Sequence, residues 1–562
     1  MAARAPANPR PPRVAAFPER LLAPEGEALP VFECNRTCLL DSSALSLLDL
    51  LLEAAPGLTP LRTGYFGGSH HVLEGPFGPG SVLVFLDGNE LPPLESGQVD
   101  LERISVVYLD RVRVFRRADG VVIDLASRRH DEPVAYARIT GATGDPNLQL
   151  LRAIFANGLG RDFTITSAFD LLNVFEPERE NDRFDFFARM SYMPMTNRFG
   201  AQLEYRSESL SRTSSDTLDL DRRTLLLRLR GDLSSTVQAE AVVSSSDFRV
   251  DSVKIHDVNQ ATLTLSARPG RTALVVGLQF QDGAAYPSVV GRARATYSVS
   301  ERLIVQAGAE IGSWDEFTSR EFRVGASYKL NAPLPITLRA DGVAGRRGIS
   351  RPANTLVDST LVGTADSVSF SAAAASVEAE LGKLRLRGRL SLQSLDRQLP
   401  FGDTFDRDLT PLPSVDVVGL EAGIRGPLIP LSFLHRELDP ITVDAFWRHQ
   451  STSGNGTALY LPANLYRARL IAKETFFQGN LTVWLSGTVS HRDQTASARA
   501  GDMNPVLLPS YNWFSGRFGF QIGEFHFWLR FTNPNGFAAA EVPGISFPRR
   551  VTVFGVKWEF FN

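Results

Sequence analysis

The sequence predicts a membrane all-β protein, in which about 22 antiparallel strands close into a transmembrane β-barrel behind a small N-terminal α+β domain. Three observations support this prediction. No segment is long and apolar enough to form a membrane-spanning helix, residues 41–133 mix helical and strand patterns, and residues 134–562 repeat one strand pattern to the last residue. Residues 1–40 form a proline-rich extension ahead of both parts.

The composition excludes several classes of protein. Hydrophobic residues make up 43% of the 562 residues, which is too many for a disordered chain. The 59 basic and 62 acidic side chains nearly cancel, so no basic field is present that would attract nucleic acid. The longest apolar stretch, residues 44–52, is interrupted by Asp49 and is shorter than the roughly 18 residues of a spanning helix.

The N-terminal extension is expected to be an extended segment, because seven of its first 30 residues are prolines. It shows no apolar core of an export signal. Cys34 and Cys38 are the only cysteines. They are either joined in a short disulfide loop, which the oxidising periplasm permits, or present as two free thiols.

The small domain begins with a helical pattern and continues with strands. Residues 41–43 (DSS) precede a run of leucines that ends at Pro56 and Gly57, which predicts a capped amphipathic helix. Residues 81–86 predict a short buried strand, residues 87–89 (DGN) a turn, and residues 106–114 another strand. Residues 41–133 therefore predict an α+β unit.

Segments beyond residue 134 alternate between an apolar and a polar face. Residues 225–230 (LLLRLR) and 384–393 (LRLRGRLSLQ) show this period of two clearly. It places the following arginines on polar faces: Arg228, Arg230, Arg385, Arg387 and Arg389. In a membrane barrel these faces point into the lumen, where the arginines either favour anionic solutes or pair with Asp and Glu of neighbouring strands.

The strand spacing favours a barrel over a soluble β-protein. Residues 134–562 divided among about 22 strands leave about 19 to 20 residues each, which suits a tilted spanning strand and its connection. Closure is expected because each unpaired backbone group in hydrocarbon costs several kcal/mol. The alternative, a soluble propeller or β-helix, requires a blade or coil repeat, and the sequence shows none.

Four segments of the small domain resemble the plug domain of TonB-dependent outer-membrane receptors, in the order of that family. They are residues 48–58 (LDLLLEAAPGL), 82–90 (VLVFLDGNE), 99–113 (VDLERISVVYLDRVR) and 121–129 (VVIDLASRR). Residues 549–560 (RRVTVFGVKWEF) resemble the closing strand of the same family, and residues 558–562 (WEFFN) are also similar to the ending of putative porins of Bacteroidetes-like bacteria. No TonB box is recognisable ahead of residue 48.

The resemblance implies that residues 41–133 fill the barrel as a plug domain. Physical reasoning agrees, since about 22 strands enclose a lumen too wide for their own side chains to fill. The glycine-rich residues 64–80 are then an apical loop that contacts a ligand, and its candidate binding residues are Tyr65, Phe66, His70 and His71. Two adjacent histidines seldom ligate one ion without a third ligand, so no metal site is predicted.

No catalytic motif or phosphate-binding loop is present, so neither an enzyme nor a cofactor is predicted. The resemblance implies a bacterial outer-membrane receptor that binds a scarce small solute, contacts outer-membrane lipid and couples to a TonB-type protein. Two other hypotheses stay open, a passive or weakly gated porin with a vestigial plug, and a structural or docking barrel of an envelope complex. The sequence does not specify the solute.

Overall fold

The protein is described here by a computed structural model. It describes residues 17, 19–22, 30–55, 57–62, 70–94, 97–130, 134–176, 179–194, 198–213, 217–283, 285–331, 334–351, 364–399, 411–427, 441–453, 457–499, 502–536, 539–543, 547 and 550–561. No helix within these ranges has the length and apolar character needed to cross a membrane.

The N-terminal domain is a five-stranded sheet with two helices and a separate hairpin. Its elements are β1 (Phe32–Cys34), α1 (Arg36–Asp41), α2 (Leu47–Ala54), β2 (Thr59–Arg62), β3 (His70–Leu73), β4 (Val82–Leu86), β5 (Asn89–Glu90), β6 (Leu109–Arg117) and β7 (Gly120–Ser127). The sheet order is β1-β6-β7-β4-β5, and β2 pairs with β3. Since β1 lies ahead of residue 41 and belongs to this sheet, we take residues 32–127 as the plug domain.

The helix that the sequence predicts is α2, and a further short helix, α1, begins within residues 1–40, which the sequence predicts to be extended. Asn35 caps α1, and Ser46 caps α2 by accepting a hydrogen bond from the backbone N–H of Asp49 at 3.2 Å. The leucines of α2 pack into the core of the plug domain beside Val112 and Val114 of β6. That apolar face holds the helix in place, because a helix of two turns is not stable in isolation.

The rest of the chain forms a closed antiparallel barrel of 22 strands, which confirms the predicted fold class. In chain order the elements are β8 (Tyr136–Gly144), β9 (Leu148–Leu159), β10 (Phe163–Glu176), β11 (Arg179–Tyr192), β12 (Phe199–Thr213), β13 (Thr217–Ser234), β14 (Val237–Val250), β15 (Val253–Ala267), β16 (Thr272–Gln281), β17 (Val289–Ser298), β18 (Leu303–Ser313), β19 (Thr318–Asn331), β20 (Pro335–Arg351), β21 (Thr364–Leu381), β22 (Leu384–Leu395), β23 (Val415–Pro427), β24 (Thr442–Ser453), β25 (Asn464–Phe476), β26 (Leu481–Arg492), β27 (Thr495–Arg499), β28 (Asp502–Leu508), β29 (Tyr511–Ile522), β30 (Phe525–Thr532) and β31 (Val551–Phe561). Strands β27 and β28 form a hairpin outside the barrel, and β31 pairs with β8 to close it.

Burial along the barrel strands is the reverse of burial in a soluble protein. On β13 the side chains of Leu225 and Leu227 are 52% and 45% exposed, whereas Arg228 and Arg230 are 1% and 5% exposed. The apolar face therefore points outward on every such strand, and the charged face points into the lumen. An outward apolar band of this kind requires lipid as its solvent.

The two rims of the barrel differ. Strand β8 begins and strand β31 ends at the same rim, which we call the terminal end, and the opposite rim is the loop end. At the loop end the connections among β8–β20 are short, whereas five longer ones follow β20 and span residues 352–363, 396–414, 454–463, 493–510 and 533–550. At the terminal end one connection is longer, residues 428–441 between β23 and β24, and the others span two to six residues.

The plug domain lies inside the barrel. Its apolar core continues into the wall through Tyr136, Ile154 and Phe187, and the ring of Tyr108 stacks on that of Phe187 with centroids 4.6 Å apart. Further apolar contacts join Leu45, Phe77 and Leu94 of the N-terminal domain to the wall, and charged side chains form many of the remaining contacts.

Candidate functional site

A ring of four buried charges joins the plug domain to the barrel. Arg116 of the plug domain donates to both oxygens of Glu421 on β23, at 2.6 and 2.7 Å, and also pairs with Glu74. Arg448 on β24 closes the ring, with Nε 2.8 Å from Glu421 Oε1 and Nη2 3.0 Å from Glu74 Oε2. Burial acts to raise the pKa of Glu74, but the two guanidinium groups outweigh it and hold the pKa below its usual range.

A second cluster holds the turn between β6 and β7. Asp119 is fully buried, and its two oxygens lie 2.6 and 2.9 Å from the guanidinium of Arg323 on β19. Arg347 on β20 also pairs with Asp119, and its Nε lies 2.7 Å from Glu321 Oε1. Burial opposes ionisation of Asp119, but the surrounding arginines lower its pKa well below the usual range, so the carboxylate stays charged.

The two helices of the plug domain are held by a third group of contacts. Asp49 on α2 pairs with Arg530 at 2.7 Å, and Glu53 pairs with Arg517 at 2.7 Å. Lys557 on β31 donates to the backbone carbonyl oxygens of Leu39 and Leu40 near the C-terminal end of α1, at 3.0 and 2.8 Å. A cation beside those unpaired carbonyls is favourable.

His70 belongs to a fourth group, which runs from β3 to the barrel wall. Its Nδ1 lies 2.7 Å from Glu102 Oε2, and the other oxygen of Glu102 lies 2.9 Å from Arg183 on β11. Burial lowers the pKa of His70, but the adjacent Glu102 carboxylate outweighs it and raises the pKa overall. Burial lowers the pKa of His71 to about 4, so His71 is neutral at pH 7.

A buried ion pair covers the plug domain at the loop end. Arg62 at the end of β2 donates from Nη2 to Glu541 Oε1 at 2.7 Å and from Nε to Oε2 at 3.0 Å. The hydroxyl of Tyr511 donates to Glu541 at 2.7 Å, and the Arg62 guanidinium lies 4.4 Å from the centre of the Phe547 ring. The connection between β30 and β31 therefore folds inward onto the plug domain.

Cavities remain on two sides of the plug domain. Two cavities with empty volumes of about 940 and 910 Å³ lie beside β15–β20, and a third, of about 910 Å³, lies beside β11–β13 toward the terminal end. Arg292 lines the first two and bridges Glu90 at 2.5 Å and Glu310 at 2.9 Å. Arg20 lines the second and third and donates to Gly88 O and Glu240 Oε1, both at 3.0 Å. Each of these arginines thus lines two adjoining cavities of the series.

His70 and His71, two of the four predicted ligand-binding residues, do not lie on an exposed loop. His70 and His71 are in strand β3, only 4% and 0% exposed, so their assignment to an open apical loop is wrong. The strand continues into Val72 and Leu73 and packs between the plug core and the loop-end connections. Tyr65 and Phe66 lie outside the described residues.

The predicted lumen arginines differ from one another in their surroundings. Arg228 donates to Gln202 at 2.9 Å, Arg230 pairs with Glu240, and Arg389 donates to the carbonyl of Arg117 at 2.8 Å. Arg385 lies at the terminal end with its side chain 62% exposed, 3.3 Å from Glu380, and Arg387 lies on the same face of β22. The predicted lumen arginines therefore bind to carboxylate, amide and carbonyl oxygens, and not to carboxylates alone.

A disulfide joins Cys34 and Cys38, with Cα atoms 5.3 Å apart, so the bonded form of the two alternatives is present. It links the end of β1 to α1. Within the described ranges, no group of three or more His, Cys, Asp and Glu side chains is arranged to hold a metal ion.

Sequence reasoning missed the carboxylates that complete the interface. Glu421 lies on the inward face of β23, and Glu321 on the inward face of β19, where both are buried. The period of two identifies such inward positions. It does not identify the plug residues that meet them, because those partners are hundreds of residues away in the chain.

These features define a transmembrane barrel whose lumen is filled by its own N-terminal domain. No family model matches the chain, and no curated protein matches its sequence. Solved structures do match. They include the siderophore receptor PirA of Acinetobacter baumannii, with 10% identity, a TM-score of 0.72 and coverage of 96% of this chain and 100% of that one.

Two further solved structures are similar over nearly the whole chain. A variant of the ferric enterobactin receptor PfeA of Pseudomonas aeruginosa has 11% identity and a TM-score of 0.72, with coverage of 95% of this chain and 98% of that one. The FrpB iron transporter of Neisseria meningitidis has 11% identity and a TM-score of 0.69, with coverage of 94% and 98%. The chain therefore has the fold of TonB-dependent receptors, which confirms the predicted resemblance at the level of fold.

Proposed function

We propose that the protein is a plugged outer-membrane transporter of the TonB-dependent receptor type. It binds a scarce solute at the loop end and imports it when the plug domain is displaced. The observation that carries the proposal is that the plug domain is a separate body inside the barrel, held to the wall by side-chain contacts, both apolar clusters and ion pairs. Because a buried charge that loses its partner is strongly destabilising, displacement of the plug domain would need an external source of energy, as a TonB-type partner would supply.

The fold supports an orientation in a bacterial outer membrane. Barrels of this membrane carry short turns on the periplasmic side and longer loops outside, so the loop end faces the exterior. The extension ahead of the plug domain is then periplasmic, where a TonB-type energy-coupling protein would act on it. The solved structures named above are siderophore receptors and an iron transporter, which supports import of a scarce small solute.

Conductance of the purified chain in planar lipid bilayers tests this proposal. The intact chain should show no steady conductance without a partner, because the plug domain fills the lumen. A variant that lacks residues 1–133 should conduct steadily. Steady conductance of the intact chain would contradict the proposal, and closure of the truncated barrel would contradict the assignment of residues 32–127 as the plug.

A passive or weakly gated porin is a second candidate, and the series of three cavities beside the plug domain favours it. Arg292 and Arg20 are among the residues that line adjoining cavities of that series, and both carry long side chains that reach across it to the plug domain or the wall. Replacing both by alanine would then raise conductance while the plug domain stays in place. If the doubly substituted chain remains closed, solute passage requires movement of the plug domain, as the transporter proposal states.

A further inference from the structure

A further cavity lies on the side of the plug domain away from β15–β20, and its lining residues point more clearly to a ligand than those of the other cavities. It lies between α2, the segment that follows it, and the inner face of β25, β26, β29 and β30, with an empty volume of about 1080 Å³ that includes space open to solvent. Arg62 lines its loop-end side and is bound to Glu541, so the cavity begins directly beneath the loop-end connections.

The space exists because short side chains form this part of the wall. Strands β26 and β29 present small hydroxyl residues to the cavity, beside Arg492 and Arg517 of the same strands, namely Ser486, Thr488, Ser490 and Ser515. Aromatic side chains also line it, namely Phe446, Tyr466, Tyr511 and Trp513. Hydroxyl groups donate and accept hydrogen bonds, so this surface suits a polar ligand.

Positive charge predominates around the cavity. Two carboxylates, Asp49 and Glu53, line it together with six arginines: Arg62, Arg467, Arg469, Arg492, Arg517 and Arg530. Three of these arginines have a close carboxylate partner, since Arg530 pairs with Asp49, Arg517 with Glu53 and Arg62 with Glu541. Arg467 and Arg469 face Asp444 of β24, and Arg492 lies 3.9 Å from Glu541, so the six arginines share four carboxylates.

Arg467, Arg469 and Arg492, the arginines without a close carboxylate partner, donate hydrogen bonds chiefly to backbone carbonyls. Arg467 donates from Nη1 to Leu52 O at 2.6 Å, Arg469 donates to Glu53 O at 2.7 Å, and Arg492 donates to Pro60 O at 3.1 Å. Arg492 also lies 3.9 Å from Glu541, which already bonds Arg62 more closely. Carbonyl oxygens accept these hydrogen bonds but carry no full negative charge, so positive charge around the cavity still exceeds negative charge by two.

These arginines also keep donors that nothing in the described chain accepts. Nε and Nη2 of Arg467 and Nε of Arg492 are buried without a hydrogen-bond partner among the described residues. Arg492 is only 2% exposed. A purely structural role, in which these arginines cap the C-terminal end of α2, accounts for the bonds to Leu52 and Glu53 but leaves these donors unexplained. Other buried arginines, among them Arg116, Arg228 and Arg389, also have a nitrogen without a partner among the described residues, so it is the position of Arg467 and Arg492 on the cavity that points to a ligand.

We infer that this cavity binds an anionic solute bearing carboxylate or phosphate groups. Guanidinium groups bind such oxyanions through paired, charge-assisted hydrogen bonds, and the hydroxyl wall would bind the rest of the molecule. The inference rests on the proposed transport function, for which it supplies a substrate class. Arg467 and Arg492 are its binding residues.

Calorimetric titration of the intact chain in detergent tests the inference, with tricarballylate and inorganic phosphate as anionic probes and sucrose as the neutral probe. An anion should bind, sucrose should not, and binding should weaken as salt is added. Arg467→Gln should weaken anion binding about tenfold or more. Arg467→Lys, which retains the charge, should bind the anion with an affinity between those of the unaltered chain and Arg467→Gln. Arg387→Gln, which removes a lumen-facing arginine outside the cavity, is the matched control and should leave binding unchanged.

A second variant separates loss of charge from loss of structure. Ser515→Trp fills the cavity, keeps every arginine and should also abolish anion binding. Folding of each variant is checked by the resistance of the barrel to heat denaturation. The inference is overturned if neither anion binds, if sucrose binds equally well, or if Arg467→Gln and Ser515→Trp bind like Arg387→Gln. These titrations need no transport, so their failure would leave the bilayer conductance test of the transporter intact.

Discussion

The ring formed by Glu74, Arg116, Glu421 and Arg448 should contribute strongly to holding the plug domain in place, and Glu421→Gln tests this. Glu421 accepts hydrogen bonds at 2.6, 2.7 and 2.8 Å from the two arginines. Its neutralisation leaves both guanidinium groups facing one carboxylate, Glu74. Leaving a buried charge without its partner costs about 3–5 kcal/mol.

Hydrogen–deuterium exchange of β6 and β7 at increasing urea concentration would measure this cost. With a urea dependence of about 2 kcal/mol per molar, the midpoint for opening the plug domain should fall by about 2 M. The matched control is Asp257→Asn, which breaks the pair with Lys254 at 3.0 Å, where both side chains are about half exposed. That exposed pair should contribute less than about 1 kcal/mol.

A double variant tests the charge argument itself. Glu421→Gln combined with Arg116→Gln leaves one carboxylate, Glu74, facing one guanidinium, Arg448, so charge balance returns. The double variant should therefore be more stable than Glu421→Gln alone, although it lacks one more charged group. If the double variant is less stable than the single one, hydrogen bonding rather than charge balance holds the plug domain, and the reasoning is refuted.

Three other predictions concern the plug domain. Burial acts to raise the pKa values of Asp49 and Asp87, but nearby arginines lower both to about 2, so their stabilisation is present above about pH 4 and lost as the pH falls toward 2. The urea midpoint should therefore be lower at pH 3 than at pH 5, and the difference between the two midpoints should be smaller in Asp49→Asn. Deletion of residues 1–22 removes Arg20 from the terminal end of the series of three cavities, and should raise bilayer conductance slightly above that of the intact chain. Reduction of the Cys34–Cys38 disulfide, which closes a very short loop, should lower the stability of the plug domain by only about 2 kcal/mol, measured by the same exchange experiment.

The architecture of the barrel could be predicted from sequence because it depends on a local pattern. Alternation with a period of two fixes which side chains face lipid, and the exposed Leu225 and buried Arg228 follow it directly. Closure then follows from the cost of unpaired strand edges in hydrocarbon. The segments resembling a plug domain indicated what fills the lumen, although β1 begins the domain earlier than residue 41.

The interface could not be predicted in the same way because its partners are distant in the chain. Glu74 and Arg448 meet only after the barrel closes around the plug domain, and no local pattern records that pairing. The error at His70 and His71 has a local cause. Glycines on both sides of these residues indicated a loop, but the side chains belong to a short hairpin strand that becomes buried when the loop-end connections fold over it.

The arginine-lined cavity and the four-charge ring are close enough to influence one another. Gly57 follows α2 at the edge of the cavity with φ +78°, and a Cβ atom there would meet Phe446 Cζ at 2.6 Å and Arg448 Nη2 at 3.0 Å. The backbone leaving α2 therefore packs directly against an arginine of the ring. A solute that draws Arg467 away from the carbonyl of Leu52 would loosen the C-terminal end of α2 on the side that touches Arg448. Binding at the cavity and release of the plug domain would then be coupled through one short segment, residues 52–57, rather than through the whole domain.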